Sequence, residues 1–360
     1  MSQAAARALS AVLVARFEEA GAVPVDCAVL QSAETLLDLY GEDIRARAYV
    51  TQDPARGELM LRPDFTVPVV ERHTREGAEP ARYCYAGEVF RRQEEHPDRA
   101  SEYVQAGYEV FDGSEPEAAD AEVFARFATL LADYPVRAAT GDIGILTAAV
   151  GGLRISERRR AALLRHIWRP RRFRALIDRF AGRAPVPPTR AALLASTDPM
   201  AVAAPLIGMR GEDEIRARIV ALHEDAAEPP LSAEEVTHLE ALLKVSETCP
   251  FALERLRDLA IDLPALGPAV ERFARRCEAL AARGVDVEAL DFETSYGRTS
   301  MEYYDGFVFG FAAPGRPDLP PVATGGRYDA LTARLGGGAS IPAVGGVIRP
   351  DLLIALGDAA

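Results

Sequence analysis

The chain has 360 residues and a formal charge of −13, from 41 basic and 54 acidic side chains. Its mean hydropathy is −0.03, a globular balance that excludes disorder as the main state. The acidic balance argues against broad nucleic-acid binding, which depends on neutralising phosphates. No run reaches the roughly 20 apolar residues of a membrane span. Met1–Glu18 lacks the basic start, apolar block and cleavage pattern of a secretory signal, so the expected location is cytoplasmic.

A first helix is expected over Ala4–Ala20, where Leu9, Val12, Leu13, Ala15 and Phe17 recur at helical spacing and Gly21 supplies a stop. Strands are expected over Tyr83–Arg91 and Glu102–Phe111. In the second, Val104, Ala106, Tyr108 and Val110 share one face, and Tyr103, Gln105, Gly107 and Glu109 share the other. Such a polar face is ordinarily solvated. An amide and a carboxylate four residues apart, with a glycine between, can also floor a ligand pocket. Ala118–Asp133 reads as a helix with Val123, Phe124, Phe127, Leu130 and Leu131 on one face, closed by Pro135.

From about Gly152 to Ala282 the chain reads as almost wholly helical, broken by proline pairs at Pro187 and Pro229. Strand signals return over Met301–Phe311. Gly325-Gly-Arg-Tyr-Asp329 lacks phosphate-loop spacing and reads as a tight turn with close backbone packing. Gly336–Gly338 reads as a flexible connection. Arg169-Pro-Arg-Arg-Phe-Arg174 is the strongest basic cluster and reads as a solvated helix end. Cys27, Cys84, Cys249 and Cys277 are far apart, as buried thiols would be. His73, His96, His166, His223 and His238 have no ligand spacing, so neither a metal nor a cofactor is expected.

Five segments stand in one order: Leu61-Arg-Pro-Asp-Phe-Thr66, Tyr85-Ala-Gly-Glu-Val-Phe-Arg91, Gln105-Ala-Gly-Tyr-Glu109, Met301-Glu-Tyr-Tyr304 and Gly325–Asp329. Together they resemble the catalytic domain of histidyl-tRNA synthetases, over residues 20–135 and 285–355. The resemblance implies an α+β, class II aminoacyl-tRNA synthetase-like fold, an antiparallel sheet flanked by helices. Residues 1–151 and 283–360 would form the core domain and 152–282 a helical insertion, with no C-terminal anticodon-binding domain. It also implies a histidine-type pocket of Asp64, Thr66, Arg91, Gln105, Glu109, Tyr303 and Tyr304, with Asp64 in place of the usual glutamate. If Tyr303 and Tyr304 lie in a regular strand, they point to opposite faces and only one meets ligand.

Activating an amino acid with ATP needs cations at the α-phosphoryl group. Arg91 matches the arginine of the family's second motif. Gln93 stands where the family has glutamate. The loop from Glu94 to Ser101 is acidic where the family's is basic; within it Arg99 matches one arginine, Ser101 replaces another, and His96 is expected to be solvated. In the third motif Asp351 matches the acid, but Leu352 falls at the arginine, and leucine cannot act as a planar cation. Thr299 falls where histidine-specific enzymes carry an arginine, with Arg298 one residue early. In an extended segment that slip turns Arg298 to the other face unless a bulge restores it.

A histidine-type pocket with depleted nucleotide cations is similar to the regulatory subunits of ATP phosphoribosyltransferase, which act at the first step of histidine biosynthesis. That implies a chain with no catalytic residues of its own, paired as a homodimer inside a hetero-oligomer with the short catalytic subunit. It would be needed for that enzyme's activity and take part in feedback inhibition by histidine, without tRNA or membrane partners. Two alternatives stay open. One is a divergent histidyl-tRNA synthetase or histidine-adenylating ligase, favoured by Arg91 and the pocket residues. The other is a stand-alone histidine sensor.

Overall fold

The computed structural model describes residues 3–40, 44–93, 99–200, 208, 211–298 and 303–357. In chain order the strands are β1 (Val23–Pro24), β2 (Leu30–Ser32), β3 (Val50–Asp53), β4 (Gly57–Leu61), β5 (Ala81–Phe90), β6 (Glu102–Phe111), β7 (Arg137–Asp142), β8 (Ser246–Thr248), β9 (Asp291–Glu293), β10 (Phe307–Ala312), β11 (Ala323–Arg327) and β12 (Ala343–Ile348). Nine of them form one sheet in the order β1-β5-β6-β12-β11-β10-β7-β9-β8, and β2-β4-β3 form a small second sheet. Pairing is antiparallel except for β1 with β5 and β7 with β9. Sequence-distant strands therefore meet at the centre, where β6 pairs with β12 in the register Glu109 to Gly345.

The apolar stripes decide which faces the helices cover. The Gln3–Glu18 helix buries Leu13 and Phe17, and the Phe17 ring stacks on Tyr108 of β6 at 5.3 Å and on Phe127 at 6.0 Å. It ends two residues before the expected Ala20. Val12 and Ala15, placed in the stripe by spacing, face solvent instead, because the buried line runs through Ala6, Ser10, Leu13 and Phe17. The Pro116–Leu130 helix buries Val123, Phe124 and Phe127, and Leu131 is its cap, so it stops before Pro135 can act.

Among the described residues the stretch 152–282 holds helices and their connections and one strand, β8, which pairs with β9 and extends the main sheet. Its last two helices, Cys249–Asp262 and Gly267–Ala282, pack on each other. From the second, Arg276 reaches Asp120 at 2.9 Å and Asp142 at 2.8 Å, and Arg327 of β11 also meets Asp120 at 2.8 Å. All four side chains are buried, so each charge depends on its partners. The basic cluster opens the Pro170–Phe180 helix, with Arg171, Arg172 and Arg174 exposed and Phe173 in the core. Among the described residues no helix is long and apolar enough to cross a membrane.

Three local expectations change. The strand expected over Met301–Phe311 begins only at Phe307; Tyr303 and Tyr304 precede it in a turn, and Met301 lies outside the described residues. Gly325, Gly326 and Arg327 are strand, not a tight turn. Close packing does hold there, since a Cβ on Gly326 would sit 2.6 Å from the Phe307 carbonyl oxygen. Cys27, Cys84 and Cys249 are buried, whereas Cys277 is half-buried.

Candidate functional site

The polar face of β6 is not solvated. Gln105 and Glu109 are each about 1 % exposed, and Glu109 lies against Thr66 at the start of the helix Thr66–Glu76. Glu109 accepts three hydrogen bonds, from Tyr85 at 2.7 Å, Tyr328 at 2.7 Å and Thr66 at 3.0 Å. Burial pushes its carboxyl up to about 7, against these donors, which favour the ionised form, while nearby Asp64 adds to the rise. Tyr85 and Tyr328 are held well above the usual phenol range by burial and by the Glu109 charge, so both remain donors.

Glycines on the neighbouring strands make room for this arrangement. Gly107 pairs across the ladder with Tyr85, and a Cβ on Gly107 would fall onto the Tyr85 ring. Gly345 pairs with Glu109, and a Cβ there would fall onto the Glu109 carboxylate. The Tyr85 ring is then fixed by stacking on Phe65 at 4.4 Å. Phe65 in turn carries the Arg62 guanidinium at 4.0 Å, which donates to the carbonyl of Cys27 and to that of Glu88 at 2.8 Å.

Thr66, Glu109, Tyr303 and Tyr304 come together, and Gln105 lies four residues from Glu109 on the same face of β6. The Tyr303 hydroxyl donates to Thr66 Oγ1 at 3.4 Å, and its ring meets that of Tyr304 at 4.8 Å. Both tyrosines precede the strand, so the two-face alternation expected of a regular strand does not apply to them. Tyr304 is buried, and its phenol is raised by burial first and then by the Glu109 charge. Asp64 is buried next to them and accepts from the Val67 amide at 3.4 Å. Arg91 donates through Nε to the Pro63 carbonyl at 2.6 Å, and its charge reaches Tyr304. Neither the nitrogen nor the oxygen of the buried Gln105 amide has a partner among the described residues. A buried amide so placed has one donor group and one acceptor to offer a ligand.

Tyr85 and Tyr328 carry much of this site, and motif reading did not single them out. The available signal was a tyrosine opposite a glycine, which is visible only once the strand register is known. Arg349 was likewise missed. It lies beside Tyr103, its ring 5.8 Å from the guanidinium, and burial together with the charges of Arg91 and Arg99 lowers its pKa. Leu352 is buried in the Pro350–Gly357 helix. Arg298 is turned toward the helical stretch, donating to the Ile167 carbonyl at 2.6 Å and covering Phe173 at 4.8 Å. Thr299 and the loop residues Glu94–Asp98, His96 included, lie outside the described residues. No metal-binding group of His, Cys, Asp and Glu occurs among the described residues.

The sheet, its glycine-lined centre and the acid–amide pocket define a class II synthetase-type protein on the histidyl-tRNA synthetase plan. The family model for histidyl-tRNA synthetase matches residues 1–224 and 216–353. Among solved structures, an ATP phosphoribosyltransferase regulatory subunit/histidyl-tRNA synthetase from Bacillus halodurans superposes with a TM-score of 0.69. It is 21% identical, and the match covers 98% of this chain and 79% of that one. The histidyl-tRNA synthetase of Nostoc sp. PCC 7120 gives 0.63 at 17% identity, covering 97% of this chain and 71% of that one. An ATP phosphoribosyltransferase regulatory subunit of Brucella anthropi is 32% identical over 91% of this chain and 92% of its own length. The Brucella ovis protein of the same name is 31% identical over 92% of both. The chain belongs to the family of ATP phosphoribosyltransferase regulatory subunits.

Proposed function

We propose that this chain is a non-catalytic subunit that a short ATP phosphoribosyltransferase catalytic subunit requires for activity, and that it takes part in feedback inhibition by histidine. The reaction, carried out by the partner, joins ATP to phosphoribosyl pyrophosphate and releases pyrophosphate. The observation that carries the reading is a contrast inside one fold. The amino-acid side of the site holds a buried carboxylate and an amide unpartnered among the described residues, which suit the ammonium and ring nitrogens of histidine. On the nucleotide side, Leu352 stands at a cation position and Arg298 is committed to Ile167 and Phe173. Without those cations, charge developing on an α-phosphoryl group lacks stabilisation worth on the order of 10²–10³ in rate per group. Aminoacylation by this chain is therefore expected to be absent.

The working assembly in this proposal is a homodimer of this chain within a hetero-oligomer, with the core of residues 1–151 and 283–360 holding histidine. The helical stretch 152–282 is the proposed surface for the catalytic subunit. Histidine can inhibit only if it binds the inactive assembly more tightly than the active one. Phosphoribosyl-ATP formation by a short catalytic subunit tests this, measured alone, with this chain, and with histidine added. Stimulation that histidine reverses is expected. Histidine-dependent ATP–pyrophosphate exchange by this chain alone, without stimulation of the transferase, would instead establish the adenylating alternative, to which Arg91 would contribute.

A further inference from the structure

The pocket floor does not end at Gln105. On one side of it, Gln105 pairs with Gly87 of β5. On the other side Ile348 of β12 pairs with Ala106, and the next residue, Arg349, still donates its amide to the Val322 carbonyl at 2.8 Å. Side chains alternate along β12, and a Cβ on Gly345 would point at Glu109, so Arg349 shares that face and enters beside Gln105. Its guanidinium lies over the ring of Tyr103, at 5.8 Å, and Tyr103 is two residues before Gln105 on the same face of β6. Above Gly87 lies a second cation, since a Cβ on that glycine would sit 2.6 Å from Nη2 of Arg62.

Arg349 differs from the other cations here. Arg62 donates to the carbonyls of Cys27 and Glu88, and Arg91 gives its Nε to the Pro63 carbonyl. The Nε of Arg349 is buried and has no partner among the described residues, as neither atom of the Gln105 amide has. Asp351, in the first turn of the Pro350–Gly357 helix, leaves its own Oδ1 unpartnered rather than meeting that nitrogen. A buried charged donor is costly unless something accepts from it. The floor is also polarised. Glu109 marks its anionic end and the two guanidinium groups its cationic end, four strand residues or about 13 Å away.

We propose that Arg349 and Gln105 form the subsite for the carboxylate of an amino-acid ligand whose ammonium and ring lie toward Glu109. A carboxylate accepts two parallel bonds from the planar fork of one guanidinium, a geometry that a lysine ammonium does not offer. The Gln105 amide nitrogen adds a third donor and leaves its oxygen for the ammonium. This subsite rests on the reading of the pocket as a histidine site, and it gives the histidine carboxylate a cation whose Nε is open.

Histidine and histamine together test it, because histamine keeps the ring and the ammonium and lacks the carboxylate. Isothermal titration of the full chain is expected to show histidine binding about 10- to 150-fold more tightly than histamine, the range for a charged hydrogen bond. In Arg349→Met that preference should shrink by about tenfold or more through weaker histidine binding, with histamine little changed, and Arg349→Lys should restore it only in part. Gln105→Glu sets a carboxylate against that of the ligand and should weaken histidine but not histamine. Circular dichroism checks folding, and Arg349→Met is expected to stay folded because it removes a half-buried charge. A full preference for histidine retained in Arg349→Met overturns the subsite, as does a preference lost in Arg91→Met and kept in Arg349→Met. So does inorganic phosphate that binds through Arg349 together with histidine rather than against it. A parent chain that binds neither histidine nor histamine removes the histidine reading and the subsite together, which sets that failure apart from the others.

Discussion

Glu109→Gln separates ligand binding from folding more sharply than any other single change in this pocket. The carboxylate is buried, accepts from Tyr85, Tyr328 and Thr66, and titrates near 7. Glutamine keeps the shape and an acceptor oxygen but removes the charge that would meet the ammonium or ring N–H of histidine. A hydrogen bond to a charged group is worth about 1.5–3 kcal/mol, so histidine affinity should fall by about 10- to 150-fold at pH 8. Stability moves differently. The folded chain holds the Glu109 proton more tightly than the unfolded chain, whose carboxyl titrates near its usual, lower value. The stability tied to that proton is complete below the unfolded pKa and is lost as pH rises through about 7. The loss amounts to at most about 3 kcal/mol. Glu109→Gln removes that loss, so without histidine at pH 8 the variant should be no less stable than the parent. Isothermal titration of histidine and urea unfolding, both at pH 6 and pH 8, measure the two quantities. Unchanged histidine affinity in a folded variant would refute the placement of histidine against Glu109. An affinity loss matched by an equal fall in unfolding free energy at pH 8 would refute the claim that the charge, rather than the fold, is what the ligand uses.

Tyr328→Phe and Tyr85→Phe each delete one donor to Glu109, so each should cost about 1–2 kcal/mol in urea unfolding. Both should also move the pH midpoint of histidine affinity upward, because the lost bond favoured the ionised carboxylate. Gly345→Ala places a Cβ on the Glu109 carboxylate and should destabilise by roughly 1–3 kcal/mol while displacing that side chain. Thermal unfolding together with histidine titration would show both effects, and an unperturbed variant would mean that β12 can shift away from β6. Arg276→Met leaves the buried Asp120 and Asp142 without one shared cation and should cost about 3–5 kcal/mol, read as a lower urea midpoint.

Local sequence determined what depends on near neighbours. The alternation in Glu102–Phe111 is enough to put Gln105 and Glu109 on one face, since strand side chains alternate whatever lies around them. The Phe124 and Phe127 stripe likewise marked the buried face of its helix, because helical spacing is a local property. The five ordered segments carried the resemblance to the synthetase plan. What alternation leaves undetermined is whether the Gln105 and Glu109 face meets water or protein. Tertiary structure decided that both are buried, with Thr66 at the start of the Thr66–Glu76 helix bonded to Glu109 and Tyr303 bonded to Thr66. It also decided that Tyr85 and Tyr328 should ring Glu109, because cross-strand register joins residues far apart in the chain. Counting along Met301–Phe311 misplaced Tyr303 and Tyr304 for a related reason. Strand formation requires a ladder of paired neighbours, and β10 pairs with β7 from Phe307 and with β11 from Val308.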